Sequence, residues 1–284
     1  MANKYHVRSN SFPCSSNPSI LRVEEQLIIF KNCEAATSTS DSLGTSLSFL
    51  QDLYIFLDDL LNLASTQKLI SHHRGEKCVE EILDGSMKLL DICGITRDTM
   101  LQIKENVQAL QSALRRRKGD SSIERSVAEY NLFTRKVKKN AKKLITSLKQ
   151  MDGKFGVSSL LNQDQDLAAL IKVLREVIAV NMSIFQSLLS FLVFPSSKSK
   201  VSKWLKQKGL ISCEENSQNS NELQHVDATL STLVRDGTSV VKMLAAREKL
   251  EALENAIESI ENGLESVFRH LIKTRASLLN IMTQ

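Results

Sequence analysis

The sequence predicts an all-α protein, an elongated bundle of long antiparallel helices with coiled-coil-like packing behind a disordered N-terminal tail. Turn formers are scarce: 284 residues carry ten Gly and three Pro, and Pro13 and Pro18 fall at the very start. Hydrophobic residues make up 42 %, enough for a large core. They recur at alternating steps of three and four, which places them on one face of successive helices.

Residues 1–16 are rich in Ser, Asn and Pro and precede any apolar periodicity, so they read as the tail; residues 17–284 read as a single helical domain. Ser16 or Asn17 caps a first helix with Pro18 in its first turn and Glu24 and Glu25 soon after, running to about Cys33. A Ser/Thr-rich connection, Thr37 to Ser40, leads to Asp41 as the next expected cap. Leu43, Leu47, Leu50, Tyr54, Leu57, Leu61 and Ala64 then form one stripe. A third helix starts near Glu76 and carries Val79, Leu83, Leu90 and Cys93. Past Gly94, which marks either a kink or a close approach of another helix, it continues through Met100, Ile103, Val107, Leu110 and Leu114.

A basic turn, Arg115 to Gly119, precedes a fourth helix capped near Asp120 to Ser122 and ended by Asp152 and Gly153. Its stripe is Ile123, Val127, Tyr130, Thr134, Val137, Ala141, Leu144, Leu148 and Met151. Residues 164–194 form the most apolar helix, without a charge between Val177 and Phe194. Such a helix is the buried centre of a bundle or a membrane span. Asn181, Ser183, Gln186, Ser187 and Ser190 favour the bundle. Pro195 stops it, a basic segment follows, and a polar linker spans about residues 209–221. The last element is a long helix broken at Gly237. Met243, Ala246, Leu250, Leu253, Ile257, Ile260, Leu264, Val267 and Leu271 keep a heptad spacing, and Glu248, Glu251, Glu254, Glu258, Glu261 and Glu265 are expected to make its outer surface acidic.

Five Cys, odd in number, far apart and never in a C-x-x-C pair, suit a reducing compartment and argue against a disulfide framework. MANKYHVRSN has no apolar stretch of a secretory signal, so the expected location is cytoplasmic, with nuclear or membrane-associated as alternatives. No nucleophile elbow, phosphate-binding loop or dinucleotide fingerprint is present. Glu222 and His225 make a single Glu-x-x-His, and a di-metal bundle needs two. His72 and His73 read as an exposed turn. No catalytic, cofactor-binding or metal site is predicted, and no small-molecule substrate is evident.

Three surface features remain. The helix over 125–149 carries Arg125, Arg135, Lys136, Lys138, Lys139, Lys142, Lys143 and Lys149. That run is a solvated face, a surface docked on the acidic Glu248–Glu265 row, or a nuclear or nucleic-acid patch; the lack of interleaved exposed aromatics disfavours single strands. Lys198, Lys200, Lys203, Lys206 and Lys208 surround Trp204 without an acid, a pattern that fits either a short helix on an anionic membrane or a loop helix whose Trp caps the core. In the tail, Arg8, Ser9, Ser11 and Pro13 match the Arg-Ser-x-phosphoSer-x-Pro pattern read by 14-3-3 proteins. A phosphate on Ser11 would add about −1.5 to −2 charges for an Arg cluster to grip.

The strings YHVRSNSFP, LLDICGITRDTMLQIKENVQALQSALRRR (89–117) and YNLFTRKVKKNAKKLITSLKQMD (130–152) resemble a plant-specific family of helical proteins related to the BYPASS proteins. The resemblance implies a plant protein with a regulatory part in root or shoot development, and it brings no reaction, cofactor or site residue. The expected function is therefore that of a non-catalytic regulatory or scaffold protein acting through protein partners. The alternative is a peripheral, less readily a transmembrane, protein anchored through residues 177–208.

Overall fold

The heptad row from Ala246 to Leu271 becomes the surface on which the bundle closes. In the computed structural model, which describes residues 18–33, 39–116, 120–155, 164–193, 220–237 and 239–283, it lies on the 44-residue helix Val240–Thr283. Leu250, Leu253, Ile257, Ile260, Leu264 and Val267 are fully buried, each contributing about 1.5–3 kcal/mol by leaving water. The row continues beyond the predicted heptad through Thr274, Leu278 and Ile281. Among the described residues there are eight helices and no strand: α1 Pro18–Cys33, α2 Ser40–Asn62, α3 Ala64–His72, α4 Lys77–Arg115, α5 Asp120–Phe155, α6 Gln165–Val193, α7 Glu222–Arg235 and α8 Val240–Thr283.

α8 packs on α2, α4 and α7, and more lightly on α3. Against α4 it runs antiparallel: Arg275 meets Leu83 and Ser86, Arg97 meets Glu265, Lys104 meets Glu261, and Gln111 meets Glu254. Against α2 it runs parallel, since Gly44, Leu47, Tyr54 and Asp58 meet Ser259, Gly263, His270 and Lys273 in the same order. α6 fills the space between α1, α2, α4 and α5. Among the described residues it alone is long and apolar enough to cross a bilayer, and 61 % of its most apolar stretch is buried inside the bundle.

Several boundaries differ from expectation. α2 is capped by Thr39, whose side chain accepts from the Ser42 N–H at 3.3 Å. Asp41 instead falls in the first turn, where its charge still suits the helix dipole. The stripe predicted to run unbroken to Ala64 is interrupted at Leu63, which adopts an extended conformation, and α3 follows. The Gln67 amide donates to the Leu61 carbonyl that the break frees. His72 therefore ends a helix, with His73 as its cap. The predicted break at Gly237 is present, at φ +80°, between α7 and α8. The start of α7 is built by a reciprocal box: Asn221 Oδ1 accepts from the Gln224 N–H, and Gln224 Oε1 accepts from the Asn221 N–H. Asn221 also donates to the Phe191 carbonyl, tying α7 to the end of α6.

α4 passes Gly94 without interruption, and a Cβ there would sit 3.7 Å from Phe268, an ordinary contact. The tight approach is at Gly263, where a Cβ would fall 2.9 Å from Leu47 Cδ1 and 3.0 Å from its Cβ. Leu47 is fully buried and has nowhere to retreat. Gly44, one turn earlier on α2, has only Ser259 Oγ at 3.7 Å. The two glycines should answer an alanine with opposite signs. Gly44→Ala should stabilise by about 0.5–1 kcal/mol through helix propensity. Gly263→Ala should destabilise by about 1–2 kcal/mol, because overpacking a rigid contact outweighs the same gain. Urea denaturation of both variants checks this, and equal shifts would refute the close parallel packing of α2 and α8.

Candidate functional site

Tyr54 and Asp58 stand one turn apart on α2, and His270 and Lys273 stand three residues apart on α8, so each pair shares a helix face. The parallel alignment brings the two faces together. The Tyr54 ring stacks on His270, centroids 5.6 Å apart, and Lys273 Nζ lies 2.7 Å from Asp58 Oδ2. His270 Nδ1 is 4.0 Å from the same oxygen. Behind them the Tyr54 hydroxyl donates to Asn181 Oδ1 at 3.1 Å, and the Asn181 amide donates to the Val177 carbonyl at 2.8 Å. Asn181, one of the polar residues expected to favour a bundle helix over a membrane span, is fully buried and bonded on both sides. The cluster thus links α2, α6 and α8.

Its electrostatics favour neutral groups inside and one ion pair at the edge. Burial pushes the Tyr54 phenol far above its usual range, with the nearby Cys93 adding to the effect. Burial likewise pushes the Cys93 thiol up to about 12, although Arg97 pulls the other way. Such a thiol stays protonated and is a poor nucleophile. The Asp58 carboxylate beside it raises the Lys273 ammonium further. These groups are arranged to join helices: each bonding partner named is another side chain or a backbone carbonyl of the bundle.

The charge rows are distributed differently from expectation. Part of the Glu248–Glu265 row faces α4 and is not outer surface. Glu265 pairs with Arg97 at 3.1 Å, Glu261 with Lys104 at 3.4 Å, and Glu254 accepts from Gln108 and Gln111. Arg97 also lies 4.8 Å over the Phe268 ring. The α5 cations do not dock there. Lys138 pairs with Asp227 of α7 at 2.8 Å, while Arg135, Lys136, Lys139, Lys142, Lys143 and Lys149 face outward and pair with no acid among the described residues. The α5 stripe is buried as predicted, Thr134 included, with Leu144 half-buried. A cleft of about 210 Å³ lies between the end of α4 and the start of α8, lined by Gln111, Arg115, Leu244, Arg247, Glu248 and Glu251. It is smaller than the usual range of small-molecule sites, about 300–1,000 Å³.

The tail motif, Arg8, Ser9, Ser11 and Pro13, lies outside the described residues. So do Lys198, Lys200, Lys203, Trp204, Lys206 and Lys208, and most of the polar linker. Glu222 and His225 turn to different partners, Glu222 accepting from the Ser40 hydroxyl and His225 Nε2 meeting Ser220 Oγ at 2.6 Å. No group of three or more His, Cys, Asp or Glu able to hold a metal occurs among the described residues.

The family described as Protein BPS1 matches residues 46–281, from the second turn of α2 to the end of α8. The chain belongs to the BPS1 family. No curated protein and no solved structure matches it. The part that carries the family likeness includes every member of the Tyr54–Lys273 cluster and the whole basic face of α5, whereas α1 and the tail string precede it. The sequence does not mark the cluster, because Tyr54 falls in an apolar stripe and Asp58, His270 and Lys273 fit no motif. Only the alignment of α2 with α8 makes them neighbours.

Two measurements probe the cluster of this BPS1-family chain. Tyr54→Phe leaves Asn181 Oδ1 buried without its donor and should cost about 1–3 kcal/mol in urea denaturation. Tyr54→Phe combined with Asn181→Leu should cost less than the sum of the two single changes, and strict additivity would refute the bond. The second measurement is stability against pH. Below about pH 7.5 the phenol and thiol are protonated in both states, so their contribution is fully present. As pH rises from there toward 12 the unfolded chain ionises while the folded one does not. Stability should therefore fall, by at most about 1.4 kcal/mol per pH unit for each group. Cys93→Ala should flatten that slope, and an unchanged slope would refute burial of the thiol.

Proposed function

We propose that this BPS1-family chain is a non-catalytic regulatory or scaffold protein of plant root and shoot development, cytoplasmic and acting through protein partners. The match over residues 46–281 carries the proposal, together with the developmental role that the sequence resemblance implies. A non-catalytic role is supported by the use made of the convergent titratable groups. Tyr54, Asp58, His270 and Lys273 contact one another and Asn181 across helix seams, the work of structural residues. Partner recruitment is assigned to the tail. Phosphorylated Ser11, with Arg8, Ser9 and Pro13, would offer a 14-3-3 protein charge-assisted hydrogen bonds, the strong class.

The test is disruption of the gene in its own plant, followed by complementation. Root or shoot growth should change, and the wild-type chain should restore it. His270→Gln should restore it too, once shown to accumulate and fold, while Ser11→Ala should not. Normal growth of the disrupted plant would overturn the developmental role. Failure of a folded His270→Gln chain would overturn the non-catalytic reading, and full rescue by Ser11→Ala would overturn recognition through the tail.

A further inference from the structure

We propose that the outward face of α5 is a landing surface for an anionic lipid bilayer. Between Tyr130 and Met151 the sequence has no acid. At 3.6 residues per turn, Arg135, Lys136, Lys139, Lys142, Lys143 and Lys149 fall within an arc of about 140°, directly opposite the buried stripe. The row from Arg135 to Lys149 is about 21 Å long at 1.5 Å per residue. All six are exposed, and Leu132, 57 % exposed, sits in the middle of the same arc.

The chain contains an acidic row that could neutralise such a face, but part of it is engaged by α4, and among the described residues no ion pair joins it to α5. Glu254, Glu261 and Glu265 are turned to α4, where Gln108, Gln111, Lys104 and Arg97 meet them. Among the described side chains of α5, Lys138 alone is met by an acid, Asp227. The rest of the charge is left facing outward, which calls for an external anion.

The chemistry of the face selects a bilayer among anionic partners. Five of the six are Lys, a compact point charge suited to a diffuse anionic sheet, whereas the forked Arg is what bidentate recognition of bases and single phosphates uses. Tyr130 and Phe133 of α5 pack toward the core, so among the described side chains the basic face offers no ring to a base. A convex helix side meets a plane over its whole length and cannot wrap a peptide. An exposed Leu amid the cations gives the apolar contact that an interface adds to charge.

The test is partition of the full chain onto vesicles of phosphatidylcholine alone and of phosphatidylcholine mixed with phosphatidylserine. Sedimentation with the mixed vesicles only, lost at high salt, is expected. Lys136→Gln/Lys139→Gln/Lys143→Gln should weaken partition about a hundredfold, and Lys139→Gln alone about fivefold, at roughly 1 kcal/mol per cation. A control with the same net charge, Arg22→Gln/Arg74→Gln/Lys88→Gln, alters exposed cations elsewhere and should bind like wild type. Unchanged binding by the α5 triple variant would overturn the proposal. Loss of binding only when the five Lys between Lys198 and Lys208 are changed would assign the membrane to that segment. Binding to duplex DNA without binding to either vesicle would overturn it as well, in favour of a nucleic-acid face.

Discussion

The 44-residue α8 cannot stand alone with a continuous apolar row facing water. Covering that row constrains everything around it. The row is covered by α2, α4 and α7, with α3 adding a lighter contact. The helix fits antiparallel to α4 and parallel to α2, and the second alignment requires the backbones to come close where Gly263 meets Leu47. A side chain at 263 would hold the helices apart and loosen the contacts on either side. The polar cluster of Tyr54, Asp58, His270 and Lys273 follows from the same alignment, two turns further along.

Burial of polar groups costs free energy unless they are bonded, and at Asn181 the bundle meets that condition. Asn181 accepts from Tyr54 and donates to the Val177 carbonyl, so the most apolar helix carries a fully buried amide that fits one arrangement of its neighbours. A helix rotated about its axis would leave both the phenol and the amide without partners. Apolar contacts between α6 and its four neighbours are far less particular. The few polar bonds select among packings that hydrophobic burial alone would leave close in energy.

Charge is divided between internal alignment and outward display. The partly exposed pairs of α4 and α8 each contribute only about 0–1 kcal/mol, so their value lies in register more than in stability. The family match covers the helical body from residue 46 to residue 281, and both the polar cluster and the basic face lie within it. The tail that carries the Ser11 pattern precedes the match.

Helix existence and apolar faces were legible in the sequence because periodicity is a local property. The rows of α2, α4, α5 and α8 are buried almost residue for residue, and the Gly237 break lies where a left-handed glycine permits it. Local chemistry was less legible where several caps competed: Thr39 took the role expected of Asp41, and nothing in the residues around Leu63 marks the break between α2 and α3. The close approach fell at Gly263 and not at Gly94, because a glycine's spacing says nothing about which helix faces it. The cluster and the free basic face were decided only by tertiary structure. Whether Glu254, Glu261 and Glu265 neutralise α5 or α4 depends on which helix stands beside α8. That choice is made by shape and burial over distances of a hundred residues or more, which no local pattern encodes.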